Sequence, residues 1–216
     1  MTHDHAPGTT CPKCWARLRT PLFCESCKEP LDPGDDASPF ETLGVEPTFP
    51  VDRMALRKRL LSLSRNLHPD YYAAGGDEAR ERAERSTARL NAAFELLADD
   101  FRRASWFVKS LGGPSESEER AMPAEFLAEV MEWNETIEEA RSAAPAEARE
   151  RLEPLAAELR AERDRIMRSV AQGLTPLPEA NAPVLRDLRR SLNVVRYLDR
   201  ALEQIDEVLL DAPPSR

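Results

Sequence analysis

Apolar residues recur at helical spacing through most of the 216-residue chain, and this pattern limits the possible folds more than any other feature. One run, separated by four, three and four positions, consists of Leu56, Leu60, Leu63 and Leu67. A second run consists of Ala83, Thr87, Leu90, Phe94 and Leu97. Because such spacing places side chains on one face of an α-helix, two runs joined by a short loop predict an antiparallel helical hairpin. We therefore expect an all-α fold.

Capping residues mark the helix boundaries in this region. Ser38, Pro39 and Glu41 form the pattern of a capping box with proline at the first helical position, so a short helix should begin there. Asp52 is expected to cap the second helix. That helix should end at His68-Pro69, because proline disfavours the α conformation in the residue before it.

The carboxy-terminal half carries three further stretches of helical spacing. Their apolar residues are Phe126, Val130, Trp133 and Ile137; Leu152, Leu155, Leu159, Ile166 and Val170; and Leu188, Leu192, Val195, Leu202, Ile205 and Leu209. Three amphipathic helices predict a three-helix bundle. Pro154 must either kink the middle helix or begin a new one, and the sequence leaves both alternatives open.

Two C-x2-C pairs near the amino terminus are separated by nine residues. Their cysteines are Cys11, Cys14, Cys24 and Cys27. Four thiolates can surround one ion as a tetrahedron, so we expect one structural zinc ion in a small zinc-knuckle module, covered by Trp15 and Phe23. Iron in the same geometry, two disulfides and redox-active thiols are the alternatives. Since four thiolates leave no open coordination position, the metal should hold this segment folded.

The net charge of −9 is concentrated in the carboxy-terminal half. Residues 114–216 carry 14 basic and 22 acidic residues, whereas residues 38–113 carry 12 and 11. An acidic surface repels phosphate backbones, so protein partners are favoured and nucleic acid is not expected. No apolar stretch reaches the roughly 18 residues of a membrane helix, and the first residues lack a signal-peptide pattern; we expect a cytoplasmic protein without a membrane partner. Three histidines and no Gly-rich phosphate loop offer little for a catalytic site, so an enzyme is not expected.

A basic stretch leads into the tripeptide His68-Pro69-Asp70. Its cations are Arg57, Lys58, Arg59 and Arg65. A simple interpretation is a solvated helix face followed by a helix stop, in which Asp70 makes an Asx-type turn. The alternative is a binding loop, because these cations lead directly to an exposed turn in an otherwise acidic protein.

Together these elements resemble a J domain over Ser38–Leu111. The resemblance rests on a short capped helix, a basic second helix, the His-Pro-Asp tripeptide and a third amphipathic helix. It implies that the chain activates the ATPase of a DnaK-type chaperone, which His68, Pro69 and Asp70 would contact. An acidic surface of that chaperone would meet the cations of the second helix, Arg57, Lys58, Arg59 and Arg65.

The resemblance narrows to the HscB family of iron-sulfur co-chaperones and then spans nearly the whole chain. It rests on Ala88–Leu90, Asn91, Phe94, Arg103, Trp106, Leu111, Phe126-Leu127 and Arg196-Tyr197-Leu198-Asp199. The resemblance implies a J domain joined to a three-helix bundle that binds an IscU-like scaffold, and some members carry an amino-terminal tetracysteine module. The chain departs from the family pattern at Tyr71-Tyr72, where Lys-Phe is usual, and at Ala128, where a larger apolar side chain is usual. Both departures should weaken the respective contacts.

A small apolar spot on the first bundle helix is the expected scaffold-binding site. If the stripe that contains Phe126 and Ile137 faces the core, Leu127 and Met131 lie about 100° round the helix. Spacing alone also fits a wide core stripe. The resemblance instead implies a scaffold-binding surface, which consists of Leu127, Met131, Glu132, Glu135, Glu139 and Tyr197.

The expected organisation has four segments. They are a metal-binding module and linker (1–37), a J domain (38–113), a second linker (114–121) and the scaffold-binding bundle (122–211). The expected function is a co-chaperone that stimulates a DnaK/HscA-type chaperone and delivers an IscU-like scaffold for iron-sulfur cluster assembly or transfer. Two alternatives are a J protein with another client and a zinc-ribbon regulator that binds nucleic acid. The regulator would use the module's cations, Lys13, Arg17, Arg19 and Lys28.

Overall fold

The computed structural model describes residues 10–32, 34, 37–67, 72, 76–120 and 122–211. Within these residues the protein has seven helices and two isolated β-bridges. The helices are α1 (Pro39–Leu43), α2 (Arg53–Ser64), α3 (Asp77–Ala98), α4 (Asp100–Ser110), α5 (Ala124–Arg141), α6 (Pro145–Gly173) and α7 (Val184–Asp211). They belong to two compact units, Met1–Arg103 and Ala104–Arg216. The all-α fold is confirmed, whereas the division into four segments stays a prediction.

The first unit contains the cysteine module and helices α1 to α3. Ser38 accepts a hydrogen bond from the amide of Glu41, whose side chain accepts one from the amide of Ser38, so the capping box is confirmed. Asp52 caps α2 by accepting from two amides of its first turn. Helices α2 and α3 pack against each other and α1 contacts both, as the predicted hairpin requires.

Helix α2 ends earlier than the sequence predicts. Its last helical residue is Ser64, not the residue before Pro69. The amides of Asn66 and Leu67 bond to carbonyls three residues back, so the chain leaves the α-helix through a tighter turn. Helix α2 is therefore followed by a turn that extends to Leu67.

The predicted apolar stripes form the core of the first unit. Their fully buried members are Leu56, Leu63, Leu67, Ala83, Leu90 and Leu97. Arg103 is buried beside them, and its guanidinium donates to the carbonyl of Phe49 and to the carboxylate of Asp100. Burial alone would raise the pKa of Asp100, but the hydrogen bond and charge of Arg103 lower it below its usual value. Arg103 is thus a paired buried cation that ties the start of α4 to the turn before α2.

The second unit is the predicted three-helix bundle of α5, α6 and α7, in which each helix contacts the other two. Its core includes Ile137, Leu152, Leu159, Val170, Leu192, Val195, Leu198 and Ile205. Helix α6 continues through Pro154 and does not begin there. Pro154 lies on an exposed face, where water can hydrate the carbonyl that has lost its amide partner. None of the described helices is long and apolar enough to cross a membrane.

The segment before α5 is fastened to α7 within this unit. Glu119 is 8% exposed and forms ion pairs with Arg186 at 3.3 Å and Arg190 at 3.1 Å. Asn193 donates a hydrogen bond to the carbonyl of Glu119 at 2.6 Å. A buried, paired carboxylate therefore fixes the entry to the bundle.

Candidate functional site

The four cysteines converge on one point. Their Sγ atoms all lie within 4.8 Å of one another, with 3.6 Å between Cys11 and Cys27 and 3.5 Å between Cys14 and Cys24. A tetrahedral zinc ion with Zn–S bonds of about 2.3 Å requires sulfurs about 3.8 Å apart. The cluster therefore fits a single metal ion.

The pKa values of these thiols also favour a bound metal ion. The backbone amide of Cys27 lowers the pKa of the Cys24 thiol to about 6, although burial opposes the shift. The amide of Ala16 lowers the pKa of Cys14 as well, but burial and the neighbouring thiols outweigh it and raise the pKa to about 12. Cys24 loses its proton readily while Cys14 keeps its proton, because thiolates this close together repel one another. A metal ion at the centre offsets this repulsion, because its positive charge stabilises the thiolates.

Each cysteine pair forms a short knuckle with the same backbone hydrogen bonds. In the first, Cys11 donates to Ala16 and Trp15 donates to Cys11; in the second, Cys24 donates to Glu29 and Lys28 donates to Cys24. Phe23 is buried, whereas Trp15 is 78% exposed, so the expected cover by Trp15 is wrong. The reason is local: Trp15 occupies the knuckle tip with a φ of 62°, and its side chain extends into solvent.

The predicted chaperone-binding residues divide into exposed cations and one partly buried arginine. Arg57, Lys58 and Arg65 are exposed on or beside α2. Arg59 is half-buried, and its Nε donates to the carbonyl of Leu43 at 2.8 Å, which holds α1 against α2. His68, Pro69 and Asp70 lie outside the described residues.

Two described residues frame the segment that contains the tripeptide. The Tyr72 hydroxyl donates to the carbonyl of Asn66 at 2.8 Å. Tyr72 is buried, and this burial raises the pKa of its hydroxyl, so it remains a donor at neutral pH. This hydrogen bond joins residues on either side of the tripeptide in the chain, and the sequence did not indicate it.

Five of the predicted scaffold-binding residues occupy an exposed face of α5, whereas Tyr197 lies half-buried on α7. Leu127 is 42% exposed and Met131 is 64% exposed, so neither belongs to a wide core stripe. Glu132, Glu135 and Glu139 are exposed on the same helix. Glu139 forms an ion pair with Arg151 of α6 at 2.9 Å. The helix thus presents apolar and acidic side chains together.

Aromatic side chains connect this face of α5 to α7. The Phe126 ring packs edge-on against Trp133 and Tyr197, each at 5.7 Å between ring centroids. Tyr197 also lines an open groove of about 520 Å³ with Met122, Glu116 and three arginines, Arg120, Arg196 and Arg200. Glu116 forms an ion pair with Arg196, so two of the three arginine charges are left to the groove. The acidic face of α5 and a cationic groove therefore adjoin through Phe126 and Tyr197.

Comparisons with known proteins identify the family. Residues 122–206 match the family model described as the HSCB C-terminal oligomerisation domain. A co-chaperone protein HscB homolog from Shewanella sp. (strain ANA-3) is 30% identical over 174 residues, which cover 80% of this chain and 98% of the relative. This chain belongs to the HscB co-chaperone family. An HscB homolog from Shewanella baltica (strain OS155 / ATCC BAA-1091) is similar at 31% identity over 175 residues.

Solved HscB structures share the fold. The crystal structure of human co-chaperone protein HscB matches with a TM-score of 0.74 at 21% identity, covering 92% of this chain and 97% of the human chain. Chaperone HscB from Vibrio cholerae matches with a TM-score of 0.68 at 19% identity, covering 82% and 100%. The resemblance that the sequence carried is therefore confirmed at the level of family and fold.

Proposed function

We propose that this HscB co-chaperone is an adaptor between two proteins. Its J region (38–113) stimulates the ATPase of a DnaK- or HscA-type chaperone, and its bundle (122–211) holds an IscU-like scaffold during iron-sulfur cluster assembly or transfer in the cytoplasm. The observation that carries the proposal is the exposure of Leu127 and Met131 among carboxylates in a member of this family. Leu127 and Met131 are four residues apart on α5, so they form one exposed apolar spot on the same helix face.

The bundle binds its partner through an apolar centre and a charged rim. Burying Leu127 and Met131 against a scaffold supplies the affinity, because each side chain contributes roughly 1.5 to 3 kcal/mol when removed from water. Glu132 and Glu135 accelerate and orient the encounter with a partner of opposite charge. The edge-on ring of Tyr197 extends the apolar contact beyond α5.

The J region acts on the chaperone's equilibrium and performs no chemistry itself. The exposed cations Arg57, Lys58 and Arg65 orient an acidic chaperone surface against α2. The tripeptide at residues 68–70 then favours the hydrolysing state of the chaperone, which is a coupling free energy between two binding events.

One zinc ion in the tetracysteine cluster is the structural component of the proposal. Sulfur ligands and tetrahedral spacing suit zinc, and four ligands leave no position for substrate. The nucleic-acid alternative is weakened by the same module, because Lys13 and Arg19 already pair with Glu29 and Glu25.

The proposal is tested by replacing His68 with glutamine and measuring the steady-state ATPase of a cognate DnaK-type chaperone. We expect the wild-type protein to raise the rate and His68→Gln to leave it at the unstimulated value. His5→Gln makes the same chemical change in the amino-terminal segment and should stimulate like the wild type. Equal stimulation by His68→Gln and the wild type would remove the tripeptide from the mechanism.

A further inference from the structure

The second cysteine knuckle presents a cation at its tip. Lys28 follows Cys27 and has a φ of 59°, which matches the φ of 62° at Trp15 in the first knuckle. The two tips are equivalent in backbone but differ in surroundings. Trp15 extends into solvent, whereas Lys28 donates a hydrogen bond from Nζ to Oδ1 of Asn66 at 3.3 Å.

The knuckle is held against the J region by buried contacts. Ser86 of α3 is fully buried, and its hydroxyl donates to the carbonyl of Leu31 at 2.8 Å. Thr20 is also buried and donates to the carbonyl of Thr42 at 2.8 Å. A Cβ at Gly44 would lie 2.7 Å from the carbonyl oxygen of the module residue Arg19, so the two backbones meet closely. The position of Lys28 is therefore set by tertiary packing and not by a flexible linker.

Lys28 lies next to Asn66, just beyond the end of α2. Its partner Asn66 is two residues before His68 in the chain, and the carbonyl of Asn66 accepts the hydrogen bond from Tyr72. Arg65, the residue before Asn66, is exposed. Lys28 thus adds a cation from a separate module to the cations that α2 already presents.

The positive charge of Lys28 is not neutralised by the adjacent carboxylate. The adjacent carboxylate of Glu29 is paired with Lys13 at 2.6 Å and lies 3.7 Å from Arg82 of α3. These two cations compensate Glu29, while Lys28 remains exposed and hydrogen-bonds to an uncharged amide. Lys28 therefore adds a positive charge next to the exposed cation Arg65 at the end of α2.

We propose that the second knuckle of the tetracysteine module is part of the chaperone-binding surface, with Lys28 contacting an acidic surface of the DnaK-type partner beside Arg65 and Asn66 at the end of α2. This inference rests on the proposed function, because it requires the chaperone to approach α2 and residues 68–70. It gives the metal a role at the interface: the ion holds the knuckle that places Lys28. The partner is identified by charge complementarity and by continuity with the cations of α2.

The test measures the affinity of a purified cognate DnaK-type chaperone, in its ATP-bound state, for metal-loaded full-length protein. Lys28→Glu should weaken binding about fivefold and Lys28→Gln about twofold at low salt, because the effect follows the charge. Both differences should disappear at high salt, where the interaction is screened. Lys109→Glu makes the same charge change on α4 and should bind like the wild type.

Further measurements separate a loss of the Lys28 contact from structural damage and from failure of the proposed function. Metal content and thermal stability of Lys28→Glu should equal those of the wild type, since the lysine is exposed. Wild-type affinity in both Lys28 variants, or a loss that persists at high salt, would overturn the inference while leaving the adaptor intact. If the wild-type protein neither binds the chaperone nor stimulates its ATPase, the adaptor proposal and this inference both fail.

Discussion

Replacing Cys24 with serine should release the metal and unfold the module while leaving the helices in place. Cys24 is buried, and the Cys27 amide stabilises its thiolate, so serine removes a ligand at a site where no water can replace it easily. Metal binding in such a small unit supplies folding free energy on the order of 10 kcal/mol. The helices begin at Pro39 and have their own core, so helical circular dichroism should remain nearly unchanged.

The measurement is the metal content per chain, by elemental analysis, after dialysis against a mild chelator. The wild type should retain one zinc ion and Cys24→Ser should retain almost none. Ser26→Ala is the matched control, because it alters an exposed non-ligand side chain of the same knuckle. One ion per chain in Cys24→Ser would contradict the four-thiolate site, and iron in place of zinc would contradict the assigned metal.

The loss of the module should also affect the J region. Ser86 would lose its acceptors at Leu31 and Leu22, and the part of α3 that the module covers would be exposed to water. Each lost hydrogen bond contributes roughly 0.5 to 1.5 kcal/mol, so the melting temperature of the first unit should fall on metal removal. The helices would stay folded but become less stable, so metal loss affects residues beyond the 37 that the sequence assigns to the module.

Replacing both Leu127 and Met131 with alanine should weaken scaffold binding by about 3 kcal/mol, or roughly 100-fold in Kd. Both side chains are exposed in the free protein. Their removal should therefore change the free energy of unfolding little and the affinity for the scaffold strongly. Isothermal titration of an IscU-like scaffold against the double variant measures the change. Leu210→Ala removes a more exposed apolar side chain near the opposite end of the bundle and should bind normally.

An unchanged Kd in the double variant would exclude this face of α5 as the scaffold site. The cationic groove lined by Arg120, Arg196 and Arg200 would then be the next surface to vary, since it adjoins the same aromatic cluster. Helical circular dichroism of the double variant should match the wild type, which separates loss of contact from loss of fold.

Local sequence chemistry predicted the helices and much of the site. The capping box at Ser38 and the cap at Asp52 follow from short-range hydrogen bonds, and the apolar stripes follow from helical periodicity. The convergence of four cysteines follows from their spacing. These features require only residues that are close in the chain.

Contacts between distant segments could not be predicted in this way. Ser86 sits within the buried face of α3 as a small polar residue, and nothing nearby in the chain indicates that its acceptor is Leu31. Arg59 belongs to a basic run in sequence, yet packing turns it towards Leu43. Lys28 and Asn66 meet because the module docks on α1 and α3, which no spacing rule encodes.

The central claim is that one chain binds both partners at once, and the most direct test is the chaperone's steady-state ATPase rate with and without an IscU-like scaffold. With wild-type protein the rate should rise, and it should rise further when the scaffold is added. The double variant of Leu127 and Met131 should keep the first increase and lose the second. Two results would contradict the adaptor account. One is an ATPase rate that does not change when scaffold is added to the wild type, and the other is a rate that still rises with scaffold in the double variant.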